Sequence, residues 1–389
     1  MVSRRVLSAS VLVVPAVILA GCAGAASEEE AAPVPVIVAS TNVYASLAQA
    51  LVGDAVEVTP IIDTATQDPH SYEATARDRL TVQEADLVIV NGGGYDPFME
   101  ALIGEGDDRP VVTAIEFSHD YPGEGGHDHG HAEDDHAEEA PAEETPAADE
   151  HAHAEDEHDH EHEHDHAEGE HEHAEGEHEH AEDDHEHAED DHGHADDGHG
   201  HGEDGHEGHN HIDGFNEHVW YDAHTMIHLV EALAEEIERE LPGAVDPDTL
   251  AANRDALIGE LEGLEARLDE IAVAYEGRGV FLTEPIGGYL AASAGLVDVT
   301  PDGFAEAVEE GQDVAPATLL AAIRVIESGE VAVVLANAQT GGAETDRVIE
   351  TAESAGVPVV ELSEVLTGDE TYVEWMSANI DALEAALQG

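Results

Sequence analysis

Asp86-Leu87-Val88-Ile89-Val90-Asn91-Gly92-Gly93-Gly94 is the stretch on which the fold turns. A short β-branched apolar run closed by Asn and Gly reads as a buried strand ending in a loop. The same unit recurs on either side. Val34, Val36, Ile37 and Val38 mark an earlier strand, followed by a helical spacing through Tyr44, Leu47, Ala48 and Leu51. Val56, Val58 and Ile61 mark another, Arg77 to Glu84 a short helix, and Val111-Val112 a fourth strand. Strands spaced by helices imply right-handed βαβ units and a parallel sheet.

The pattern resumes beyond residue 211. Thr225 to Leu241 is helical and stops at Pro242. Asp246-Pro247-Asp248 caps a long helix carrying Leu250, Leu257, Leu261, Leu264, Leu268, Ile271 and Tyr275 at helical spacing. Gly279 to Leu282, Val297-Val299, Val331-Val334-Leu335 and Val359-Val360-Leu362 form a second strand series, and Tyr372 to Leu387 an amphipathic helix. The fold class is therefore α/β: two βαβ lobes with parallel sheets, joined by a long helix. The expected divisions are an N-terminal lobe over 36–118 and 212–245, a linking helix over 246–276, and a C-terminal lobe over 277–389.

Between the parts of the first lobe, residues 119–211 alternate histidine with carboxylate. Of the 29 histidines, 25 fall here, in runs such as His127, His129 and His131, then His158, His160, His162 and His164, then His171, His173, His178 and His180. The window holds 37 of the 91 acids, no Arg and one aromatic side chain, Tyr121. So polar a segment cannot bury enough apolar surface to offset the entropy of ordering it, and is expected to be disordered when metal-free. A solvating acidic linker would account for the Asp and Glu but not for the His. Imidazoles among carboxylates suit zinc and its first-row neighbours, so this insert is expected to be an auxiliary metal-binding loop. The formal charge of -80 makes nucleic acid and anionic membrane surfaces poor partners and a cation the natural ligand.

Arg4 and Arg5 precede a short apolar core from Val11 to Ala20, as in an export signal over 1–21. Leu19-Ala20-Gly21-Cys22 resembles the lipobox of bacterial lipoproteins, in which the cysteine is acylated and becomes the mature N-terminus. Cys22 is the only cysteine, so no intrachain disulfide forms and no thiolate remains for metal. Residues 22–35 are expected to be a tether. The chain is then exported and held by lipid on the outer face of the cytoplasmic membrane, since no later run approaches the ~20 apolar residues of a membrane span.

Four histidines remain outside the insert: His70, His218, His224 and His228. His70 follows the second strand in Asp68-Pro69-His70-Ser71-Tyr72-Glu73, at the carboxyl end where open α/β sheets bind ligands. His218 precedes a helix in Asn216-Glu217-His218-Val219-Trp220-Tyr221-Asp222. His224 and His228 are spaced i, i+4 on that helix and could pair on a metal. Thr225, Met226 and Ile227 between them lack the acid of a hydrolytic zinc motif, so half-exposed helical histidines are the better reading.

These motifs resemble those of the substrate-binding lipoproteins of zinc/manganese ABC importers, from Val34 to the C-terminus. Asp68 to Glu73 is like that family's DPHxYE segment, and Asn216 to Asp222 like its NPHxWLD segment with Glu217 in place of Pro. Thr283-Glu284-Pro285-Ile286-Gly287-Gly288-Tyr289 has a ligand position followed five residues later by Tyr. The resemblance implies two α/β lobes linked by a rigid helix, a metal site in the cleft, and His70, His218 and Glu284 as ligands. It places the fourth ligand near Asn337-Ala338-Gln339-Thr340-Gly341-Gly342, where Gln339 or Asn337 could offer a carbonyl oxygen, or water could complete the shell. It further implies a monomeric, non-enzymatic protein that captures Zn2+ and delivers it to an ABC permease with its ATPase subunit. Glu284 leans toward a harder ion, Mn2+ or Fe2+, and the His-rich insert leans toward zinc. An extracellular zinc buffer without a permease is the other reading. Against an enzyme stands the lack of a nucleophile elbow, P-loop or dinucleotide fingerprint; Gly92-Gly93-Gly94 has the wrong spacing.

Overall fold

In the computed structural model the chain is described over residues 34–104, 106, 108–123, 212 and 214–389. The export signal 1–21, Cys22, most of the tether, and the auxiliary histidines from His127 to His180 lie outside the described residues. The first sheet is built from β1 (Val36–Thr41), α1 (Asn42–Val52), β2 (Glu57–Ile62), α2 (Ala76–Glu84), β3 (Leu87–Val90), α3 (Pro97–Ile103) and β4 (Val111–Thr113). Its strands are parallel in the order β2-β1-β3-β4, with Ile37 opposite Val58 on one side and Leu87 on the other. After the insert come α4 (Ala223–Glu240) and the 29-residue α5 (Pro247–Tyr275).

The second sheet comprises β5 (Gly279–Leu282), α6 (Gly288–Ser293), β6 (Val297–Asp298), α7 (Ala305–Glu309), α8 (Pro316–Ser328), β7 (Val331–Asn337), α9 (Ala343–Ala355) and β8 (Val359–Leu362). It repeats the first arrangement, parallel in the order β6-β5-β7-β8, and α10 (Tyr372–Gln388) closes the chain. The architecture is two parallel-sheet α/β lobes, as the strand runs imply. The short α3, α6 and α7 and the longer α8 and α9 were not singled out in the sequence.

Both faces of each sheet are covered, which is why the strands are continuous apolar runs rather than alternating ones. Val38, Ile62 and Val88 meet Val82 of α2 and Phe98, Met99 and Leu102 of α3 on one side of the first sheet. Phe281 and Val334 meet Ala322 and Ile326 of α8 and Val348 of α9 on one side of the second. The remaining faces share one core: Ile37, Leu47, Leu233, Leu261, Val280, Leu335, Trp375 and Leu383 belong to a single apolar cluster. Helix α5 begins with Pro247 in its first turn and the Asp246 carboxylate accepting from the Thr249 amide at 3.1 Å. It buries Leu250, Leu257, Leu261, Leu264, Leu268 and Ile271, each worth roughly 1.5–3 kcal/mol of burial.

The described chain runs past the expected insert boundary. Residues from His119 to Gly123 are included, and Tyr121 stacks edge-on against Phe215 at 5.9 Å, so the two flanks of the insert meet on the first lobe. Gly92, at the end of β3, adopts φ 86°, and a Cβ there would lie 2.6 Å from Thr113 Cγ2. Only glycine fits that turn. Among the described residues no helix is long and apolar enough to cross a membrane.

Candidate metal centre

The carboxyl ends of the strands in both sheets supply the polar groups of one buried site, as expected for open parallel sheets. His70 follows β2 in a short 3-10 turn, Pro69–Ser71. The Asp68 carboxylate accepts from the His70 amide at 3.0 Å and from the Ser71 hydroxyl at 2.6 Å, so Asp68 and Pro69 together fix the backbone from which the ring projects. The His70 ring packs edge-on against Tyr95 at 5.0 Å and is 7 % exposed.

His218 immediately precedes the turn Val219–Tyr221 that leads into α4. Its tautomer follows from its neighbours. Asn216 Nδ2 donates to the Pro285 carbonyl at 2.9 Å, which leaves Asn216 Oδ1 as the acceptor for the His218 amide at 3.1 Å and for His218 Nδ1 at 2.9 Å. Nδ1 therefore carries the proton, and Nε2 presents its lone pair to the site. Asn216 also ties the second histidine to the residue after Glu284, coupling the two lobes at the site. Glu217, standing where the resembled motif has Pro, is buried; its Oε1 accepts from the Ile212 amide at 3.3 Å and its carbonyl accepts from Asn91 Nδ2 at 3.0 Å. It thus anchors the chain returning from the insert beside His218.

Donor atoms of His70, His218 and Glu364 all lie within 4.8 Å of one another, the one such group among the described residues. All three side chains are buried. Glu364 follows β8 and was not singled out in the sequence. Its Oε1 accepts from Asn337 Nδ2 at 2.7 Å, while its Oε2 is buried and accepts no hydrogen bond among the described residues. Burial, with Asp68, Glu284 and Glu309 adding like charge, pushes its carboxyl up to about 8 despite the Asn337 bond. Such a carboxyl favours its protonated form near neutrality, and a cation at the site would offset the cost of ionising it.

Glu284 stands one hydrogen bond behind this trio. Its Oε2 accepts from the same Asn337 amide at 2.7 Å and its Oε1 from Thr340 Oγ1. Burial raises its pKa, opposed by those two bonds. The amides expected to complete the shell are committed elsewhere. Asn337 Oδ1 accepts from the Gln339 amide at 3.0 Å, and Gln339 Oε1 accepts from the Ser363 hydroxyl at 3.2 Å and from the Glu364 amide. Gln339 Nε2 donates to the Gln67 carbonyl at 3.2 Å, across to the first lobe. Asn337 and Gln339 therefore brace the carboxylates, and Glu364, in the loop after β8, is the carboxylate that stands with His70 and His218.

One more carboxylate reaches in. Glu309, at the end of α7, lies 3.7 Å from His218 Nε2 and lines an acid-walled depression with Glu217, Glu306 and Glu310, bordered by Ile212 and Phe215. Two imidazoles and two buried carboxylates make a set of donors suited to a small divalent cation. His224 and His228 are not part of it.

Residues 37–386 match the family model "ZnuA", described as the periplasmic component A of a zinc-uptake complex. A manganese-binding lipoprotein, MntA, of Halalkalibacterium halodurans is 29% identical over 113 residues, covering 28% of this chain and 36% of that protein. The chain thus aligns with about a third of that relative's length. The fold is similar to that of the periplasmic zinc-binding protein TroA from Treponema pallidum, with a TM-score of 0.58 and 17% identity over 91% of this chain and 99% of that one. It is also similar to the solute-binding protein FpvC of Pseudomonas aeruginosa in complex with Ni2+, with a TM-score of 0.56 and 19% identity over 92% and 97%.

Proposed function

The chain belongs to the ZnuA family of periplasmic metal-uptake components, and on that premise we propose that it captures Zn2+ and hands it to the permease of an ABC importer. The observation that carries this reading is the convergence of His70, His218 and Glu364, from three separate loops and both lobes, on one buried point. A site for cargo needs metal donors and burial, and these groups supply both. Two imidazoles with carboxylate oxygen satisfy zinc, and the 25 histidines of residues 119–211 would enrich zinc over manganese nearby. The second buried carboxylate, Glu284, favours the Mn2+ or Fe2+ alternative, and MntA is by name a manganese-binding protein.

Zinc loading of a chain lacking Glu124 to Asn210 tests the assignment. Isothermal titration is expected to show total zinc falling to about one ion per chain, with the tightest affinity retained to within about threefold, since the cleft donors are untouched. Competition with Mn2+ and Fe2+ in the same cell decides the cargo. If the tight site vanishes with the segment, the insert is the primary ligand set and the protein a zinc buffer.

Lipid attachment at Cys22 is supported by the Leu19-Ala20-Gly21-Cys22 match, and MntA is by name a lipoprotein. Cys22→Ser is expected to yield an unprocessed precursor or a released protein. An unmodified Cys22 in the membrane-recovered mature chain, seen by mass spectrometry, would remove the anchor from this reading.

A further inference from the structure

We propose that His224 and His228 form a second metal site, on the exposed side of α4, for a borderline divalent ion such as zinc. Their i, i+4 spacing puts both rings on one helix face. The two Nε2 atoms face one another at 3.2 Å, with the rings perpendicular and their centroids 4.7 Å apart. Behind each ring stands a carboxylate: His224 Nδ1 lies 3.0 Å from Glu265 Oε1 on α5, and His228 Nδ1 lies 3.3 Å from Glu231 Oε2.

An ionised carboxylate can only accept, so both Nδ1 atoms carry the hydrogen. With Nδ1 turned to its carboxylate on each ring, both Nε2 atoms are left facing one another across the 3.2 Å gap. Zinc bound tetrahedrally at about 2.0–2.1 Å from each nitrogen sets a nitrogen–nitrogen separation of about 3.3 Å, which the rings already match. The carboxylate behind each imidazole is the support that metal-ligating histidines receive, fixing tautomer and ring orientation.

Room for the remaining ligands lies beside His224, in a depression also lined by Asp222, Glu265, Asp269 and Ser293. Asp222 caps α4 through the His224 and Thr225 amides, and His119, first histidine of the long run, has its Nδ1 3.7 Å from Asp222 Oδ2. The pair is therefore at the end of α4 where that run departs. With two protein nitrogens and solvent-facing positions, His224 being 46% exposed, it is a station for exchangeable ions and not a second tight cage.

Carbethoxylation of individual histidines, mapped by peptide mass spectrometry on the full chain with zinc chloride as the probe, tests this. At pH about 7.5, saturating zinc is expected to slow His224 modification about tenfold or more. In His228→Gln the slowing should shrink to within about twofold, because one imidazole alone holds zinc weakly. His218→Ala should keep the full protection at His224, so loss of the cleft site cannot be mistaken for loss of this one. No protection in the wild type, or equal protection in His228→Gln, overturns the proposal. A His224 rate that follows pH but ignores zinc also overturns it, since a shared proton would then be the only occupant.

Discussion

Glu364→Gln is expected to weaken the tightest metal site about a hundredfold or more, roughly 2.7 kcal/mol, while leaving the metal-free fold intact. Gln keeps the shape of the side chain and an oxygen for Asn337 Nδ2, which donates to Glu364 Oε1 at 2.7 Å, but it removes the anionic charge. What is lost is one charged donor of the three that converge within 4.8 Å. Glu284→Gln makes the informative partner variant, because that carboxylate is braced by Asn337 and Thr340 behind the trio. Titration with zinc against a chelator of known affinity reads both. Wild-type affinity in Glu364→Gln, with collapse in Glu284→Gln, would take Glu364 out of the donor set and restore Glu284 as the sole carboxylate ligand.

Proton release on metal binding should be large near neutrality, and Glu364 should be its source. Its carboxyl is pushed up to about 8 by burial. The folded pKa lies above the unfolded value of about 4.3, so its contribution to metal-free stability is fully present below that value. It is lost progressively as pH rises toward about 8, because the unfolded chain ionises first. Urea denaturation of the metal-free protein should thus show stability falling from pH about 5 to about 8, and Glu364→Gln should remove a part on the order of a few kcal/mol from that fall. Metal must displace the proton, so at pH about 7 the wild type should release about one proton more per ion than Glu364→Gln. Calorimetry in buffers of different ionisation enthalpy measures this. Equal release from the two proteins would show that the carboxyl is already ionised before metal arrives.

The lobes were legible because buried parallel strands announce themselves as β-branched runs closed by turn residues, and Leu87–Val90 before Asn91-Gly92-Gly93-Gly94 is such a run. Helices α8 and α9 were not singled out, and each packs on its sheet through only a few buried residues. His70 and His218 stood out as two of four histidines outside the insert, in segments rich in Asp, Pro, Asn and Trp. Glu364 had no such mark. It sits in Leu362-Ser363-Glu364-Val365, one carboxylate among 91. The available signal was positional: it is the second residue past β8, at the same edge as Glu284 past β5. The polar run after β7 drew attention instead, because Asn337 and Gln339 have carbonyl oxygens to offer, and the hydrogen bonds show both side chains bracing Glu364.

The last helix meets the first. Tyr372 donates its amide to Ser46 Oγ at 2.9 Å, Asn42 and Leu366 exchange two bonds of 2.9 Å, and α10 joins the core that contains α1 and α5. Residues more than three hundred positions apart must therefore find each other before the shared core can form. Such closure is slow, since loop entropy is lost before the contacts reward it. A chain delivered N-terminus first cannot complete the shared core until α10 has followed. A protein shortened ahead of Tyr372 lacks the closing helix of that core, so it should stay open to proteases along its whole length rather than survive as a stable half.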